Sequence, residues 1–348
     1  MKTNCFRIGK SMVGQGKPCF FIAEVGPNHN GSLDNAKKLI FEAKKSGCNA
    51  IKFQYHIAEE EIADKSTKIP WANIKRYDFI KNVQEFTFNE HNILRKYSKK
   101  LGLEYISSPF NLKAARNLLK LGVDAFKIAS GEITNFELIE FCLKSKKPII
   151  ISTGMSDKKE IERTVNFIKK FNNKKIILMQ CTSQYPTMIK DVNLSVISFF
   201  KKNYQFVVGL SDHCESELPA ISSVCFGSKC IEKHFTLNTR MKGPDHKVSF
   251  TPKKMRDFIK NVKIVESSIG CEEKRIDSRI KKVRNVFLNS VVTSKNLVEG
   301  DLISLDNITF KKPGTGILSS DYQKILGCKV KKDLKKNHIL TLKDLETK

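Results

Sequence analysis

The stretch CIEKHFT at residues 230–236 sets a carboxylate, an ammonium and an imidazole inside a run whose neighbours Cys225, Phe226 and Phe235 are apolar. Burying such groups without partners costs on the order of 2–7 kcal/mol for a polar group and more for a charge, so the stretch is expected to end at a site that uses them. Side chains alternate along a strand, which puts Glu232 and His234 on one face and Lys233 on the other. His213, at the end of the preceding apolar run, would stand beside His234 across a strand spacing of about 5 Å. Two imidazoles with carboxylates nearby can share one divalent cation and leave its other positions to water and substrate oxygens, the open arrangement of a catalytic metal. With no Cys-rich ligand set beside them, Mn2+ or Mg2+ is expected rather than zinc.

The other apolar runs end in the same way. Their late polar residues are Glu24; Lys52 and Gln54; Ser107 and Ser108; Lys127 and Ser130; Ser152 and Thr153; Thr182; and Ser211, Asp212 and His213. Any one of these could be a satisfied core group, but recurrence on every run points to a shared site. Lys52 and Lys127, with the hydroxyls of Ser130, Ser152 and Ser211, suit a phosphate or a carboxylate. Lys127, inside a strand, also admits a second chemistry, that of the Schiff-base lysine of a class I aldolase.

The elements that must position these residues are short β-branched runs alternating with amphipathic segments, the pattern of a parallel sheet with crossover helices. The runs are 20–25, 50–54, 104–109, 125–130, 148–154, 175–182, 206–212 and 230–236. Between the first two, Leu33, Ala36, Ile40 and Ala43 share a helical face, with Ser32 as N-cap and Gly47 at the C′ position. Eight such units predict a closed (β/α)8 TIM barrel over residues 1–270, with its reactive residues gathered at the carboxyl ends of the strands. GQG at 14–16 precedes the first run and lacks a third glycine, so a dinucleotide fold has little support. A charged, helical linker is expected over 271–285, and short strands and turns over 286–348 predict a small, mostly β domain.

Composition narrows the class of protein. A chain of 348 residues with 40% hydrophobic and 28% charged residues has material for a large core. No run of apolar residues is long enough to span a bilayer, and MKTNCFRIGKS lacks the apolar stretch of a secretory signal, so no membrane association and a cytoplasmic location are expected. The ten cysteines are scattered without a CxxC pair and read as reduced packing residues; Cys225 and Cys230 lack the second pair that a structural metal would need. The formal charge of +26 raises the possibility of nucleic-acid binding. Against it, only ten of the 62 basic residues are arginine and no aromatic-interleaved patch appears, so an anionic small substrate is the expected partner.

The segments EVGPNHNGS (24–32), KFQ (52–54), SSPF (107–110), KIASGE (127–132), STGM (152–155), CTSQYPT (181–187), GLSDH (209–213), EKHF (232–235) and GPDHK (243–247) resemble, in order, those of the sialic acid synthase family. PGTGI (313–317) resembles the motif of that family's C-terminal antifreeze-like (SAF) domain. The resemblance implies condensation of phosphoenolpyruvate with an open-chain N-acylated hexosamine, typically N-acetylmannosamine, to a nonulosonic acid and phosphate. It implies a divalent metal on His213 and His234, Mn2+ first and Mg2+ or Co2+ as alternatives. It further implies Glu24 as acid/base group, Glu232 next to the metal, and Lys52, Lys127, Ser130, Ser152 and Ser211 as the grip on phosphoenolpyruvate. Gln54, Ser108, Tyr185 and Asp245 would surround the sugar, joined by Lys312 from the partner of a domain-swapped homodimer. Lys312 stands where members often carry Arg, and Ser183 where a sialic acid synthase can carry Asn, which bears on the choice of acylamino sugar. The alternative implied is a diacetyllegionaminate synthase acting on a 2,4-diacetamido-trideoxy sugar; the pseudaminic branch ranks lower because it lacks the GPDH stretch. Related C-terminal domains bind ice on flat, weakly charged surfaces, but the lysines of this one favour a lid.

Overall fold

The structure is a computed structural model that describes residues 4–70 and 73–346. The chain divides into two compact units, Met1–Gly270 and Cys271–Lys348. In the first, an antiparallel hairpin of β1 (Cys5–Ile8) and β2 (Ser11–Gly14) precedes eight parallel strands. These are β3 (Phe20–Glu24), β4 (Ala50–Tyr55), β5 (Glu104–Pro109), β6 (Ala125–Ile128), β7 (Ile149–Ser152), β8 (Ile176–Cys181), β9 (Val207–Asp212) and β10 (Cys230–His234). β10 pairs with β3 and closes the barrel, as predicted. The first crossover helix, Leu33–Lys45, is capped by the Ser32 hydroxyl and buries Ala36, Leu39, Ile40 and Ala43 against the sheet.

Alternation along each strand sorts the core into two shells. Phe21, Ala23, Ile51, Phe53 and Tyr105 face the helices. Phe20, Ile22, Ala50, Ile106, Ala125, Ile150, Ile177, Met179, Val207 and Cys230 fill the barrel interior with Phe6, Ile8 and Val13 of the hairpin. The hairpin therefore floors the barrel at the amino ends of its strands, and nothing in the expectations above foresaw it. Its tight turn depends on Gly9, at φ +56°, where a Cβ would collide with the Glu104 carboxylate. That carboxylate accepts from the Lys10 amide at 2.8 Å, which ties the floor to β5. Among the described residues all ten cysteines are free, and no helix is long and apolar enough to cross a membrane.

In the second unit the linker's helix is shorter at its start and longer at its end than expected, Ser278–Phe287, with Asp277 as N-cap. β11 (Ser290–Thr293) and β12 (Ile308–Lys311) pair antiparallel, and isolated bridges such as Val292 to Ile339 and Leu297 to Leu334 complete a small core around Val291, Ile303, Val330 and Leu340. The terminal stretch contributes bridges at Ile339 and Leu345 and a 3-10 turn, Leu342–Asp344, between them. Asp344 anchors that turn. Its Oδ2 accepts from the Thr341 amide (2.9 Å), the Thr341 hydroxyl (2.8 Å) and the His338 ring (3.1 Å), and Lys332 lies 3.2 Å from Oδ1.

Burial would raise the Asp344 carboxyl, but these donors outweigh it and hold the group far below the usual carboxylate range. A depressed native value means stability that is present at neutral pH and lost as pH falls below about 4 toward the native value. Replacing Asp344 with Ala should cost the second unit about 1–3 kcal/mol at pH 7 and much less at pH 2–3. Urea unfolding of the two chains at both pH values, followed by hydrogen exchange within residues 290–346, measures the difference; an equal loss at both contradicts it.

Candidate active site

One step along each strand from the apolar interior, the inward positions turn polar. Ile22 is followed by Glu24, Ala50 by Lys52 and Gln54, Ile106 by Ser108, Ala125 by Lys127, Ile150 by Ser152, Met179 by Cys181, and Cys230 by Glu232 and His234. All of these polar side chains line one cavity of about 360 Å³ at the carboxyl ends, with Ser130, Tyr185, Ser211 and His213. Strand register sets the neighbours. Glu24 lies between His234 on β10 and Lys52 on β4, and Glu232 lies opposite Ser211 on β9.

At the base of the cavity the Glu232 Oε1 atom gathers three donors: Lys52 at 3.2 Å, Lys127 at 3.3 Å and the Ser211 hydroxyl at 3.0 Å. Lys52 also lies 3.1 Å from Glu24 Oε2, and Gln54 donates to Glu24 Oε1 at 2.9 Å. Burial alone would raise Glu232, but Lys127 and Lys52 hold it well below the usual carboxylate range. Burial dominates at Glu24 and lifts it to about 7, against the pull of Lys52. Two carboxylates are thereby pushed apart, one firmly ionised and the other able to take or release a proton near neutral pH. Burial lowers the Lys127 ammonium, with Glu232 opposing, whereas at Lys52 the two carboxylates overcome the effect of burial and raise it.

The imidazoles meet above this layer, ring centroids 5.3 Å apart. His213 donates from Nδ1 to the Thr182 carbonyl at 2.8 Å, which leaves its Nε2 a lone pair, 3.1 Å from the Tyr185 hydroxyl. His234 Nδ1 is buried without a hydrogen bond among the described residues, and Asp245 Oδ2 lies 3.4 Å from it. Gly26 opens the space between these groups: a Cβ there would lie 3.3 Å from Asp245 Oδ2, 3.4 Å from Glu24 Oε1 and 3.5 Å from His234 Cε1. Among the described residues no three His, Cys, Asp or Glu side chains form a complete metal cage. An orphaned imidazole nitrogen, a second whose lone pair meets only the Tyr185 hydroxyl and a cradle lined by carboxylate oxygens nonetheless fit a hard divalent cation with open positions.

The sequence-based set is thus brought together, apart from one member. Asp245 joins through His234, while Lys312 belongs to the second unit, where its Nζ sits 5.3 Å from the Phe287 ring. Several strand-end residues have other duties. Asp212 faces outward and binds the buried Lys233 at 2.9 Å, Thr153 donates to the Met179 carbonyl and Thr182 to the Asp191 carbonyl. Residues not anticipated also line the cavity: His56, Arg76, Gln84, Phe110, Glu132, Met155 and Cys181. Strand parity would have flagged Cys181, read above as packing; the others lie in loops or in helical turns of three to five residues, too short to carry a periodic signal.

A closed eight-stranded barrel with a polar cavity of this charge pattern at its carboxyl ends defines a TIM-barrel enzyme built for anionic substrates. The NeuB family matches residues 39–274 and the SAF domain residues 289–346; the chain belongs to the NeuB family. It is accordingly a sialic acid synthase-like enzyme, of the kind that makes nonulosonic acids from phosphoenolpyruvate. It is 40% identical to an uncharacterized protein of Methanocaldococcus jannaschii, over 97% of this chain and 98% of that one. It is 35% identical to the N,N'-diacetyllegionaminic acid synthase of Campylobacter jejuni, over 93% and 99%. The solved N-acetylneuraminic acid synthetase of Leptospira borgpetersenii superposes with a TM-score of 0.75 at 30% identity, covering 81% of this chain and 95% of that one.

Glu232 is the member whose removal the site tolerates least, since it leaves the buried Lys127 ammonium without a counter-charge and Lys52 with Glu24 alone. Glu232→Ala should lower barrel stability by about 3–5 kcal/mol. Chemical denaturation followed by circular dichroism tests this, and a loss below about 1 kcal/mol contradicts the assigned pairing.

Proposed function

We propose that this chain condenses phosphoenolpyruvate with the open-chain form of an N-acylated hexosamine, N-acetylmannosamine in the first instance, giving N-acetylneuraminate and inorganic phosphate. The observation that carries this reading is the vertical order of the cavity, with two lysines and a row of hydroxyls at its base and two imidazoles with carboxylates above them. Lys52, Lys127, Ser130, Ser152 and Ser211 hold the phosphate and carboxylate of phosphoenolpyruvate. The buried Ser152 hydroxyl has no partner among the described residues, as befits a donor reserved for a ligand. Gln54, Ser108, Tyr185 and Asp245 hold the sugar, and the Ser108 hydroxyl is similarly unclaimed.

His213 and His234 would hold a divalent cation, Mn2+ by preference with Mg2+ or Co2+ as substitutes, which supplies Lewis acidity toward the aldehyde oxygen. As C3 of phosphoenolpyruvate attacks the aldehyde carbon, charge grows on that oxygen; as water adds at C2 and phosphate departs, charge grows on the leaving group beside Lys52 and Lys127. Preorganised cations there favour the transition state over the ground state. Glu24, lifted to about 7 by burial, can accept a proton from the water and return one to the developing alkoxide.

A second sugar is favoured by likeness alone: the Campylobacter jejuni relative, and one from Legionella pneumophila at 33% identity, are both named N,N'-diacetyllegionaminic acid synthase. The substrate in that reading is a 2,4-diacetamido-trideoxy sugar. A homodimer with exchanged terminal domains is part of the proposal. The linker helix presents Ile280, Val283, Val286 and Phe287 at about half exposure or more, a face that a second copy would cover and that would carry Lys312 toward the partner's sugar.

Phosphate release from phosphoenolpyruvate plus each sugar is the deciding assay. Turnover with one of them should vanish with a chelator and return with Mn2+, and turnover that survives chelation refutes the metal. His213→Ala should cut kcat/KM at least about a hundredfold while the far-ultraviolet spectrum stays unchanged. Light scattering should give twice the chain mass.

A further inference from the structure

The ion pair behind the two imidazoles takes no part in the chemistry above. By strand parity Lys233 and Asp212 are the only charged residues on the helix-facing side of the eight barrel strands, where the other outward positions of β9 and β10 are Val208, Leu210 and Ile231. Lys233 is 1% exposed and Asp212 2%. Replacing a buried pair of this kind with hydrocarbon is often neutral or stabilising, so stability alone is a poor reason for it. Its bonds give a better one.

Lys233 Nζ donates to Asp212 Oδ2 at 2.9 Å and to the Cys214 carbonyl at 2.6 Å, and Asp212 Oδ1 accepts from the Cys214 amide at 3.0 Å. The residues on both sides of His213 are therefore held by the residue that precedes His234. The strand ladder does not supply this link: pairing of β9 with β10 ends at Lys233 opposite Asp212, one residue short of the imidazoles. His234 is fixed separately, opposite Glu24 on β3 and through the Phe250 amide, which donates to its carbonyl at 2.7 Å. The other bonds of His213 lead away from β10, from its ring to the Thr182 carbonyl and from the Thr187 amide to its own carbonyl at 3.1 Å. Two N–H donors from one nitrogen are all that the link requires. The Phe250 ring, its centroid 4.2 Å from Nζ, packs against that nitrogen.

We infer that Lys233 and Asp212 are positioning residues that set the spacing of His213 and His234 from behind the strands, and with it the fit of the divalent cation. This rests on those imidazoles being its ligands, as proposed above. A metal site needs its ligands placed to within about 0.5 Å, and outer groups that orient them typically govern affinity by about ten- to a hundredfold. The pair is thus spent on geometry.

The test is the double variant Asp212→Asn with Lys233→Met, which removes both charges and the cross-strand bonds while leaving an oxygen for the Cys214 amide and a long side chain against Phe250. The metal-free full chain is titrated with Mn2+ and the free ion read by electron paramagnetic resonance. The parent should show one site, and the double variant a Kd about tenfold or more higher. Hydrogen exchange at the Thr187 amide, which reports the His213 carbonyl, should quicken in the variant, with the amides of β5 and β6 unchanged. A merely structural pair would loosen the barrel as a whole and leave the Mn2+ affinity where it was. Equal affinity in a folded double variant overturns the inference. If that variant does not fold, Asp212→Asn alone, which breaks the bond to Lys233 and spares the one to Cys214, should raise Kd at least about threefold, and an unchanged Kd there overturns it equally. Should the parent bind no Mn2+, the metal of the proposed function fails; the Thr187 amide then decides the positioning by itself, and equal exchange in parent and variant overturns it.

Discussion

Two lysines and two glutamates held together out of water are the constraint around which the barrel is arranged. Each ion alone in that interior would cost several kcal/mol, and the set is tolerable only because Glu232 Oε1 lies within 3.3 Å of both ammoniums while Lys52 also reaches Glu24. A balanced quartet is a poor source of stability compared with packed hydrocarbon. It is a good source of readiness, because a multiply charged ligand can compete for donors that already stand in place and need not be drawn from solvent.

The quartet can exist only where the barrel interior changes character. Below it the inward positions are Ile22, Ala50, Ile106, Ala125, Ile150 and Cys230, closed underneath by Phe6, Ile8 and Val13. Above it are imidazoles, amides and hydroxyls. The apolar layer does two things for the charged one: it supplies the rigidity that keeps separations near 3 Å, and it lowers the local polarity, which raises Glu24 while the ammoniums of Lys127 and Lys52 hold Glu232 down.

Much of this was legible in the sequence because strands have a period of two and a barrel has one open end. The eight apolar runs, their order and the polar residues that close them could be read from residue types alone, and the parity of CIEKHFT already separated Glu232 and His234 from Lys233. The same parity, applied to SSP and LSDH, would also have set Ser108 and Ser211 inward and Asp212 outward, against Lys233. Other features had no periodic signature. The β1–β2 floor is two strands of four residues each, too short to stand out from a loop. His56 and Glu61 owe their meeting to a single helical turn, and Gln84 comes from the distant π-helical turn Ile80–Gln84, so only three-dimensional closure makes them neighbours. The 3-10 turn at Leu342–Asp344 is held by the Asp344 carboxylate, which accepts from the Thr341 amide and hydroxyl, a local bond with no periodic signature.

The hairpin beneath the barrel has one more effect. A chamber stopped at its lower end has a single doorway, so traffic through it obeys a stack: what goes deepest enters first and departs last. Under the proposed function, which seats the phosphorylated reactant on the lower lysines and the sugar nearer the rim, the order of arrival follows from the plumbing, and a sugar that settles early would bar the way of its own co-reactant.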